Sequence, residues 1–200
     1  MRGSRIIVTG SSSGIGKSVS ESLLEKGATV IGLSRTQRDF IPKSDRYRWY
    51  NCDISNLKKL SEVFKKVLAD NPRIDGFVSN AGFGEFKGFE SFSTNQTISY
   101  LHANLLSHMI MTRALLPLMK KQKKGKIIFI GSESALQGGQ QGSIYSVAKF
   151  GLRGFAQALR DECAKSKVHV SIVNPGMVRT DFFDELSFSP GDGPSNAIEP

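Results

Sequence analysis

Apolar runs alternate along this chain with stretches in which apolar side chains recur every three or four residues. Short apolar runs predict buried strands, and the longer periodic stretches predict amphipathic helices. The predicted strands span residues 5–9, 28–33, 46–52, 74–79, 126–131 and 168–173. The predicted helices span residues 17–26, 57–68, 95–121 and 143–164, and Gly27 is expected to end the first of them.

Strands that alternate with helices of this length are typical of the α/β class. Because parallel strands need crossover helices of one hand, the order predicts a doubly wound, Rossmann-like parallel sheet of about six strands with helices on both faces. No linker or repeat divides the chain, so we expect one domain over residues 1–200. Residues 187–200 are rich in Gly, Pro and Ser and are expected to form a loop or tail.

The composition is typical of a cytoplasmic globular protein. Hydrophobic residues make up 39% of the chain and charged residues 22%. No stretch approaches the roughly 20 apolar residues of a membrane span, and the apolar run near the N-terminus is too short for a signal-peptide core. Cys52 and Cys163 lack metal or redox spacing, as expected of free thiols in a reducing compartment. We therefore expect no membrane partner and no bound metal.

The formal net charge of +9 suits nucleic acid, a membrane surface or a small anionic ligand. The densest basic run, residues 120–126, lies at the predicted end of a helix and contains Gly125. Cations complement the dipole at a helix C-terminus, and glycine is the usual stop, so a structural role is favoured over a nucleic-acid patch. No nucleic-acid-binding motif accompanies the run, and we expect no nucleic-acid partner.

A turn of small residues follows the first predicted strand and leads into the first helix. It places Gly10, Gly14 and Gly16 where the backbone turns tightly. The free N–H groups of a helix N-terminus attract phosphate, so this position in an α/β chain favours nucleotide binding over a plain loop.

The end of the second predicted strand bears on the choice of nucleotide. NAD sites usually carry an acidic residue there, which binds the ribose 2′-hydroxyl. This chain has Ser34 and Arg35 instead, and Arg35 is able to pair with a 2′-phosphate while Ser12 adds a hydroxyl. The hypothesis is NADP(H) rather than NAD(H), and the alternative is an ordinary surface arginine.

Tyr145 and Lys149 are four residues apart in a predicted helix and therefore share one face. An ammonium beside a phenol favours the phenolate, so the pair predicts a lowered pKa for Tyr145 and acid–base chemistry at neutral pH. Alone, the spacing is also compatible with a solvated lysine beside a half-buried tyrosine.

The chain resembles the short-chain dehydrogenase/reductase family over residues 5 to 180. Several motifs carry the resemblance through their joint order and spacing, including Ser132 thirteen residues before Tyr145. They are Thr9-Gly10-x-x-x-Gly14-x-Gly16, Asp53, Ser79-Asn80-Ala81-Gly82, Asn104, Ser132, Tyr145-x-x-x-Lys149 and Pro175-Gly176 with Thr180 beyond.

The resemblance implies the catalytic residues. Tyr145 is expected to act as general acid or base, Lys149 to lower its pKa and bind the nicotinamide ribose, and Ser132 to polarise the substrate oxygen. Asn104 is expected to support a water that links Lys149 to solvent.

The resemblance also implies the cofactor contacts, in which Asp53 and Ile54 meet the adenine and Thr180 reaches the carboxamide region. The expected cofactor-binding residues are Gly10, Ser12, Ser13, Gly14, Ile15, Gly16, Arg35, Asp53, Ile54, Asn80, Ala81, Gly82, Tyr145, Lys149, Pro175, Gly176, Val178 and Thr180.

Each matched residue also has a purely structural interpretation. Ser132 is suited to cap a turn, and Asn104 to distort a helix through a local hydrogen bond. Asp53 is suited to be an N-cap, and Asn80 to occupy a left-handed turn.

Three departures from the family pattern bear on the substrate side. Glu133 stands where a small or hydroxyl residue is common, so it brings a charge toward the substrate entrance or faces water. The loop after Thr180 is short and apolar, and it forms either a substrate face or a packed patch. Its apolar residues are Phe182, Phe183, Leu186 and Phe188. Family members continue through another helix and a seventh strand, which we expect either to be absent from this chain or to lie in a C-terminal part that is not represented here.

The sequence therefore predicts an NADP(H)-dependent oxidoreductase that transfers hydride between nicotinamide and a small-molecule carbonyl or secondary alcohol. The alternative is a non-catalytic NADP(H)-binding sensor or structural protein on the same fold. The resemblance also implies a homodimer or homotetramer, because the family commonly pairs subunits through the helix that here carries Phe150 and Phe155. Acyl thioesters, steroids, sugars and small ketones remain open as substrates.

Overall fold

A parallel sheet forms the centre of the protein, seen in a computed structural model that describes residues 1–37, 44–183 and 197–200. Its strands are β1 (Arg5–Thr9), β2 (Thr29–Ser34), β3 (Tyr47–Asn51), β4 (Gly76–Ser79), β5 (Gly125–Ile130) and β6 (Val168–Val173). The six strands lie in the order β3-β2-β1-β4-β5-β6 and all pairings are parallel. The predicted doubly wound sheet is confirmed.

Helices connect the strands. They are α1 (Gly14–Glu25), α2 (Leu57–Asp70), α3 (Thr94–Leu101), α4 (Ser107–Gln122) and α5 (Ser143–Cys163). The single long helix predicted over residues 95–121 is wrong in one respect, because a π-helical turn at His102–Leu106 separates α3 from α4. Single π-helical turns inside α-helices often occur at functional sites.

Helices cover both faces of the sheet. Successive strand residues point to opposite faces, so neighbouring side chains pack against different helices. Ile7 of β1 belongs to the larger buried cluster, which contains Phe64 of α2, Met111 of α4 and Leu152 of α5. Its neighbour Val8 belongs to the second cluster, with Leu23 and Leu24 of α1 among its members. Each fully buried apolar side chain of this size contributes about 1.5–3 kcal/mol. Phe64→Ala would therefore lower the free energy of unfolding by disrupting the packing of α2, α4 and α5 on this face of the sheet.

The first helix ends as the sequence predicts. Gly27 has a φ of +81°, which an L side chain rarely adopts. Its N–H donates to the Leu24 carbonyl at 3.0 Å, and the Ala28 N–H donates to the Leu23 carbonyl at 3.0 Å. These two bonds form a Schellman motif that satisfies carbonyls at the helix end.

The basic run has a structural role, although Gly125 is not the residue that stops the helix. Lys123 takes the left-handed conformation after α4, with a φ of 50°. Gly125 begins β5, where an added Cβ would lie 2.5 Å from the Met119 sulfur. The Lys124 ammonium lies 3.3 Å from Oδ1 of Asp75, a carboxylate that also pairs with Arg73 at 3.0 Å. The run thus ties the end of α4 to the start of β4.

The strand order reverses between β1 and β4, so the loops after these strands diverge to opposite sides. Ligands of open α/β sheets bind in the crevice at the carboxyl ends of the strands at such a point. Most of the residues singled out in the sequence lie in the loops at this edge.

Residues 184–196 lie outside the described part of the chain, and with them Leu186, Phe188 and most of the predicted tail. Near the C-terminus, Ile198 forms a parallel bridge with Val178. None of the helices within the described residues is long and apolar enough to cross a membrane.

The two phenylalanines expected at a subunit contact differ in their surroundings. Phe150 is 43% exposed. Phe155 instead packs on Phe129 of the core, with ring centroids 5.7 Å apart. The expected pairing of subunits stays a prediction, and Phe150 is the residue that supports it.

Candidate functional site

The glycine turn after β1 is shaped by close backbone contacts. Gly10 has a φ of +67°, and an added Cβ would lie 2.8 Å from the amide nitrogen of Asn80. A Cβ at Gly16 would overlap the carbonyl oxygen of Gly10. Glycine is therefore required at both positions, because the loop after β4 packs on Gly10 and the first turn of α1 packs on the Gly10 carbonyl.

Thr9 at the end of β1 organises the loop that follows β4. Its hydroxyl oxygen accepts hydrogen bonds from the backbone N–H groups of Asn80 (2.9 Å) and Ala81 (3.0 Å). The Asn80 side-chain amide donates to the Thr9 carbonyl at 3.1 Å. Asn80 does not adopt the left-handed conformation weighed above. Its side chain instead joins the two loops that meet where the strand order reverses.

The N-terminus of α1 suits an anionic group. Ser13 is the N-cap, but its side chain makes no capping hydrogen bond. The first turn contains no acidic residue. A Cβ at Gly14 would lie 3.0 Å from the Thr180 side chain, so the segment after β6 closes over this end of the turn. Backbone N–H groups, hydroxyls and bare glycines fit the pyrophosphate of a dinucleotide.

Ser132, Tyr145 and Lys149 come together at the ends of β5 and α5. The Ser132 hydroxyl lies close enough to the Tyr145 phenol to lower the pKa of that phenol. The Lys149 ammonium lies 5.5 Å from the centre of the Tyr145 ring and donates to the Ile130 carbonyl at 3.2 Å. Tyr145 and Lys149 are each only 7% exposed. The predicted shared face of the helix is confirmed.

The predicted electrostatics of the pair need correction. Burial raises the pKa of Tyr145, and the neighbouring Ser132 hydroxyl opposes that effect. Burial also lowers the pKa of Lys149 to about 8. The expectation of a lowered tyrosine pKa is therefore wrong for this arrangement, because removing the phenol from water disfavours its charged form.

Ser132 is held from two sides, and Asn174 is a contributor that the sequence reasoning missed. The Ser134 N–H donates to the Ser132 hydroxyl oxygen at 3.2 Å, so Ser132 does cap the 3₁₀ turn Glu133–Ala135. The Ser132 N–H donates to the Asn174 side-chain oxygen at 3.3 Å. Asn174 could have been identified from the sequence by its position directly before Pro175, at the end of β6.

Asn104 lies in the π-helical turn and holds the loop after β4. Its side-chain oxygen accepts from the Phe83 N–H at 3.0 Å, and its amide donates to the Tyr100 carbonyl at 3.2 Å. A Cβ at Gly82 would lie 2.7 Å from the same oxygen. The local hydrogen bond weighed for Asn104 is confirmed, and its contact with a water stays a prediction.

His108 is a second residue that sequence reasoning missed. Its Nδ1 lies 2.7 Å from the Ser79 hydroxyl, and both side chains are buried. Burial lowers the pKa of His108 to about 3, and the charge of Lys149 adds to this, while a hydrogen bond with the Ala81 backbone opposes it. His108 could have been identified from the sequence because it lies four residues after Asn104, a spacing that favours one face of a predicted helix.

The residues expected around the adenine lie at the ends of β2 and β3. The Arg35 side chain is exposed, and its carbonyl accepts from the Asn51 amide at 2.8 Å. Asp53 accepts from the Ser55 N–H and hydroxyl, at 3.0 and 2.7 Å. Asp53 is not the N-cap of α2, because Asn56 fills that position. Ile54 packs partly buried against the larger core cluster.

The segment after β6 is tied to the segment after β5. The Pro175 carbonyl accepts from the Glu133 N–H at 3.0 Å. A Cβ at Gly176 would lie 3.1 Å from the Glu133 carboxylate, and that side chain is exposed. Val178 is buried and forms the bridge to Ile198.

The predicted residues thus form three groups along one edge of the sheet. The first is the glycine turn with its partners at Asn80 and Thr180, and the second is Ser132 with Tyr145 and Lys149. The third is the exposed end of β2 at Arg35. No group of three or more metal-binding side chains occurs among the residues that the structure describes.

Comparison with known proteins gives a consistent picture. A family profile described as short chain dehydrogenase matches residues 4–189. A 3-ketodihydrosphingosine reductase from Bacteroides thetaiotaomicron is 31% identical over 184 residues, which cover 92% of this chain and 67% of that protein.

Two solved structures share the fold and differ in their cofactor. A metagenomic short-chain oxidoreductase in complex with NADP has a TM-score of 0.82 and 30% identity, covering 90% of this chain and 85% of that one. A short chain dehydrogenase from Leptospira borgpetersenii with bound NAD+ has a TM-score of 0.83 and 26% identity, covering 92% of this chain and 76% of that one.

Proposed function

We propose that this chain, which belongs to the short-chain dehydrogenase family, is an NADP(H)-dependent oxidoreductase that interconverts a carbonyl group and a secondary alcohol. Tyr145 is the general acid when the carbonyl is reduced and the general base when the alcohol is oxidised. The observation that carries the proposal is that Tyr145, with Ser132 next to its phenol, lies beside the buried ammonium of Lys149.

The glycine turn and the N-terminus of α1 hold the pyrophosphate of the cofactor in this proposal. Gly10 and Gly16 allow the tight turn that directs backbone N–H groups toward the phosphates, and the N-cap Ser13, whose side chain makes no capping hydrogen bond, adds a hydroxyl. Ala81 and Gly82 line the neighbouring loop, fixed by Thr9 and Asn104. When bound, the nicotinamide supplies or accepts the hydride.

The side chains around Tyr145 handle the charge and the proton. Carbonyl reduction leaves negative charge on the substrate oxygen, which the Ser132 hydroxyl and the Tyr145 phenol stabilise by donating hydrogen bonds. The phenol proton then moves to that oxygen. The Ser134 N–H and the Asn174 side chain keep Ser132 in place through this step.

Lys149 stabilises the phenolate that remains. With its pKa lowered to about 8, the amine is still mostly protonated at neutral pH. A charged ammonium in a site with little water acts strongly on a neighbouring anion, so the phenolate is favoured once it forms. The hydrogen bond to the Ile130 carbonyl holds the ammonium beside the ring.

Arg35 supports the preference for NADP(H). Its side chain is exposed at the carboxyl end of β2, where an acidic residue would otherwise bind the ribose 2′-hydroxyl. A guanidinium there pairs with the 2′-phosphate, and among the described residues 32–37 at this strand end none carries a carboxylate.

The test is NADPH consumption by the purified protein with a panel of ketones, combined with a separate titration of NADPH binding. Binding together with ketone-dependent consumption supports the enzyme. Binding without turnover on any carbonyl would instead support the non-catalytic sensor. Failure to bind NADPH would overturn both.

A further inference from the structure

Phenylalanine recurs at every third position in the loop that follows β4. The residues are Phe83, Phe86, Phe89 and Phe92, directly after the Asn80-Ala81-Gly82 segment. The chemistry proposed above uses none of them. Phe86 lies 5.1 Å from Tyr145 of the site, and Phe83 packs edge-on against the buried Tyr100 at 5.0 Å.

A second ring reaches Tyr145 from a different part of the chain. Phe182 belongs to the 3₁₀ turn Asp181–Phe183 after β6, and its ring centre lies 6.2 Å from that of Tyr145. A Cβ at Gly84 would lie 2.5 Å from the Phe182 ring and 3.0 Å from the Phe86 ring. Both rings therefore converge over one glycine. We call Phe86 and Phe182 the aromatic wall.

The aromatic wall is anchored rather than loose. The Lys87 N–H next to Phe86 donates to the Gln141 carbonyl at 3.0 Å. A Cβ at Gly142 would lie 3.5 Å from the Phe86 ring. The loop after β4 is thus fixed to the segment that begins α5, which carries Tyr145. Both rings of the wall remain partly exposed, so a bound molecule is able to reach them.

The charges next to the wall are paired with each other. The Lys87 ammonium lies 2.7 Å from the Glu85 carboxylate and 4.2 Å from the centre of the Phe92 ring. Glu85 and Lys87 flank Phe86 in sequence and offset each other's charge. The surface that borders Tyr145 on the Phe86 side is therefore apolar and aromatic, while Asp181 precedes Phe182 in the chain.

We infer that the aromatic wall selects carbonyl substrates that carry an aryl or other flat unsaturated group, in preference to saturated or polar groups of the same size. The inference rests on the proposed function, because it places the reacting carbonyl at Tyr145. A flat ring packs on the aromatic wall with the offset or edge-on contacts that aromatic groups prefer. A saturated ring of equal size buries similar area but lacks those contacts.

Two ketones provide matched probes. Benzylacetone carries a phenyl ring two carbons from its carbonyl, and its analogue carries cyclohexyl in the same place. The spacer keeps the two carbonyls equally reactive, so the ratio of their kcat/KM values reports on the ring alone. In the unmodified protein we expect kcat/KM for the phenyl ketone to be roughly threefold to tenfold higher than for the cyclohexyl ketone, because of the aromatic contact.

Replacement of the wall residues tests the assignment. Phe86→Leu and Phe182→Leu keep an apolar side chain and are expected to bring the ratio close to one. Phe89→Leu is the control, because Phe89 lies in the same repeat but is 57% exposed and packs toward Phe92. It should leave the ratio unchanged. Circular dichroism and thermal unfolding verify that each variant folds.

A ratio of one or less in the unmodified protein, or an unchanged ratio in Phe86→Leu, overturns the inference. If neither ketone is consumed, the two corresponding alcohols are titrated calorimetrically into the protein saturated with NADP+. Tighter binding of the phenyl alcohol that Phe86→Leu abolishes supports the wall, even though the proposed reaction has failed. Equal or absent binding overturns the wall.

Discussion

The ammonium of Lys149 lies 5.5 Å from the centre of the Tyr145 ring, and both side chains are 7% exposed. Burial acts against the charged form of each, raising the pKa of the phenol and lowering that of the amine to about 8. Functional sites often hold groups in arrangements that reduce stability, because the same arrangement supports the chemistry.

Lys149→Met is expected to stabilise the fold by about 1–3 kcal/mol at pH 7 while abolishing turnover. A fall in the pKa of Lys149 from 10.5 to about 8 means that the buried ammonium destabilises the fold by about 3 kcal/mol. The variant also loses the hydrogen bond to the Ile130 carbonyl, which offsets about 1 kcal/mol of the gain. Urea unfolding measures the change. Lys65→Met, at an exposed position on α2, should change stability by about 0.5 kcal/mol or less.

The pH dependence of that difference has a defined sign. The unfolded chain binds more protons at Lys149 than the folded protein between pH 8 and 10.5. The unmodified protein therefore gains stability over this window, and the advantage of Lys149→Met shrinks as pH rises. A variant less stable than the unmodified protein at pH 7 would show that the ammonium is well solvated or fully compensated.

His108→Leu is expected to reduce stability at pH 7 by about 1–3 kcal/mol, because the buried Ser79 hydroxyl loses its partner. With the pKa of His108 near 3, the unfolded chain binds a proton that the folded protein does not between pH 6.5 and 3. As pH falls from 6.5 to 5, His108 therefore lowers the free energy of unfolding of the unmodified protein by about 2 kcal/mol. The variant lacks this decrease. Urea unfolding at both pH values tests this.

The matched control for His108→Leu is the double variant with Ser79→Ala. Removing both partners leaves no unsatisfied hydroxyl, so the double change should reduce stability by about 1 kcal/mol less than the sum of the single changes. Simple additivity would show that the hydrogen bond contributes nothing.

Arg35→Asp is expected to lower kcat/KM for NADPH by about tenfold to a hundredfold while changing that for NADH little, because the carboxylate repels the 2′-phosphate. Steady-state kinetics with each cofactor at a fixed ketone concentration provide the comparison. Arg48→Asp, at an exposed position on β3, makes the same change in net charge and is the control. An unchanged cofactor ratio in Arg35→Asp would mean that Arg35 is an ordinary surface residue.

Gly10→Ala should weaken NADPH binding and reduce stability by more than about 1 kcal/mol, since it combines an unfavourable φ with a clash against the Asn80 amide. Gly3→Ala is the matched variant, because Gly3 has a φ of +73° with no neighbour within 4 Å of an added Cβ. The two positions share the backbone strain and differ only in the close approach. Equal losses of stability would mean that the Asn80 contact is unimportant.

Much of the fold was predictable because periodicity carries it. Strands β1 and β6 begin and end at the predicted residues, and the strand–helix order led to the observed sheet. The π-helical turn at His102–Leu106 was not predictable, since its apolar spacing resembles that of an ordinary helix. Within this turn Asn104 accepts a hydrogen bond from the N–H of Phe83, which lies 21 residues earlier in the chain.

The candidate site was predictable in its residues and less so in its energetics. Spacing placed Tyr145 and Lys149 on one face, but only the packed structure shows that burial governs both pKa values. Phe182 could be predicted from the sequence as part of an apolar loop near the substrate. Phe86 could not, because its contact with Tyr145 joins residues that are 59 positions apart in the chain.

The most direct test of the proposed function is the turnover of Tyr145→Phe measured together with its affinity for NADPH. Phenylalanine keeps the ring that packs against Phe86 and Phe182 but removes the proton that is to be transferred. The expected result is a kcat about a hundredfold to ten-thousandfold lower, with NADPH affinity largely retained. A kcat within about tenfold of the unmodified protein would contradict the role of Tyr145 as the proton donor.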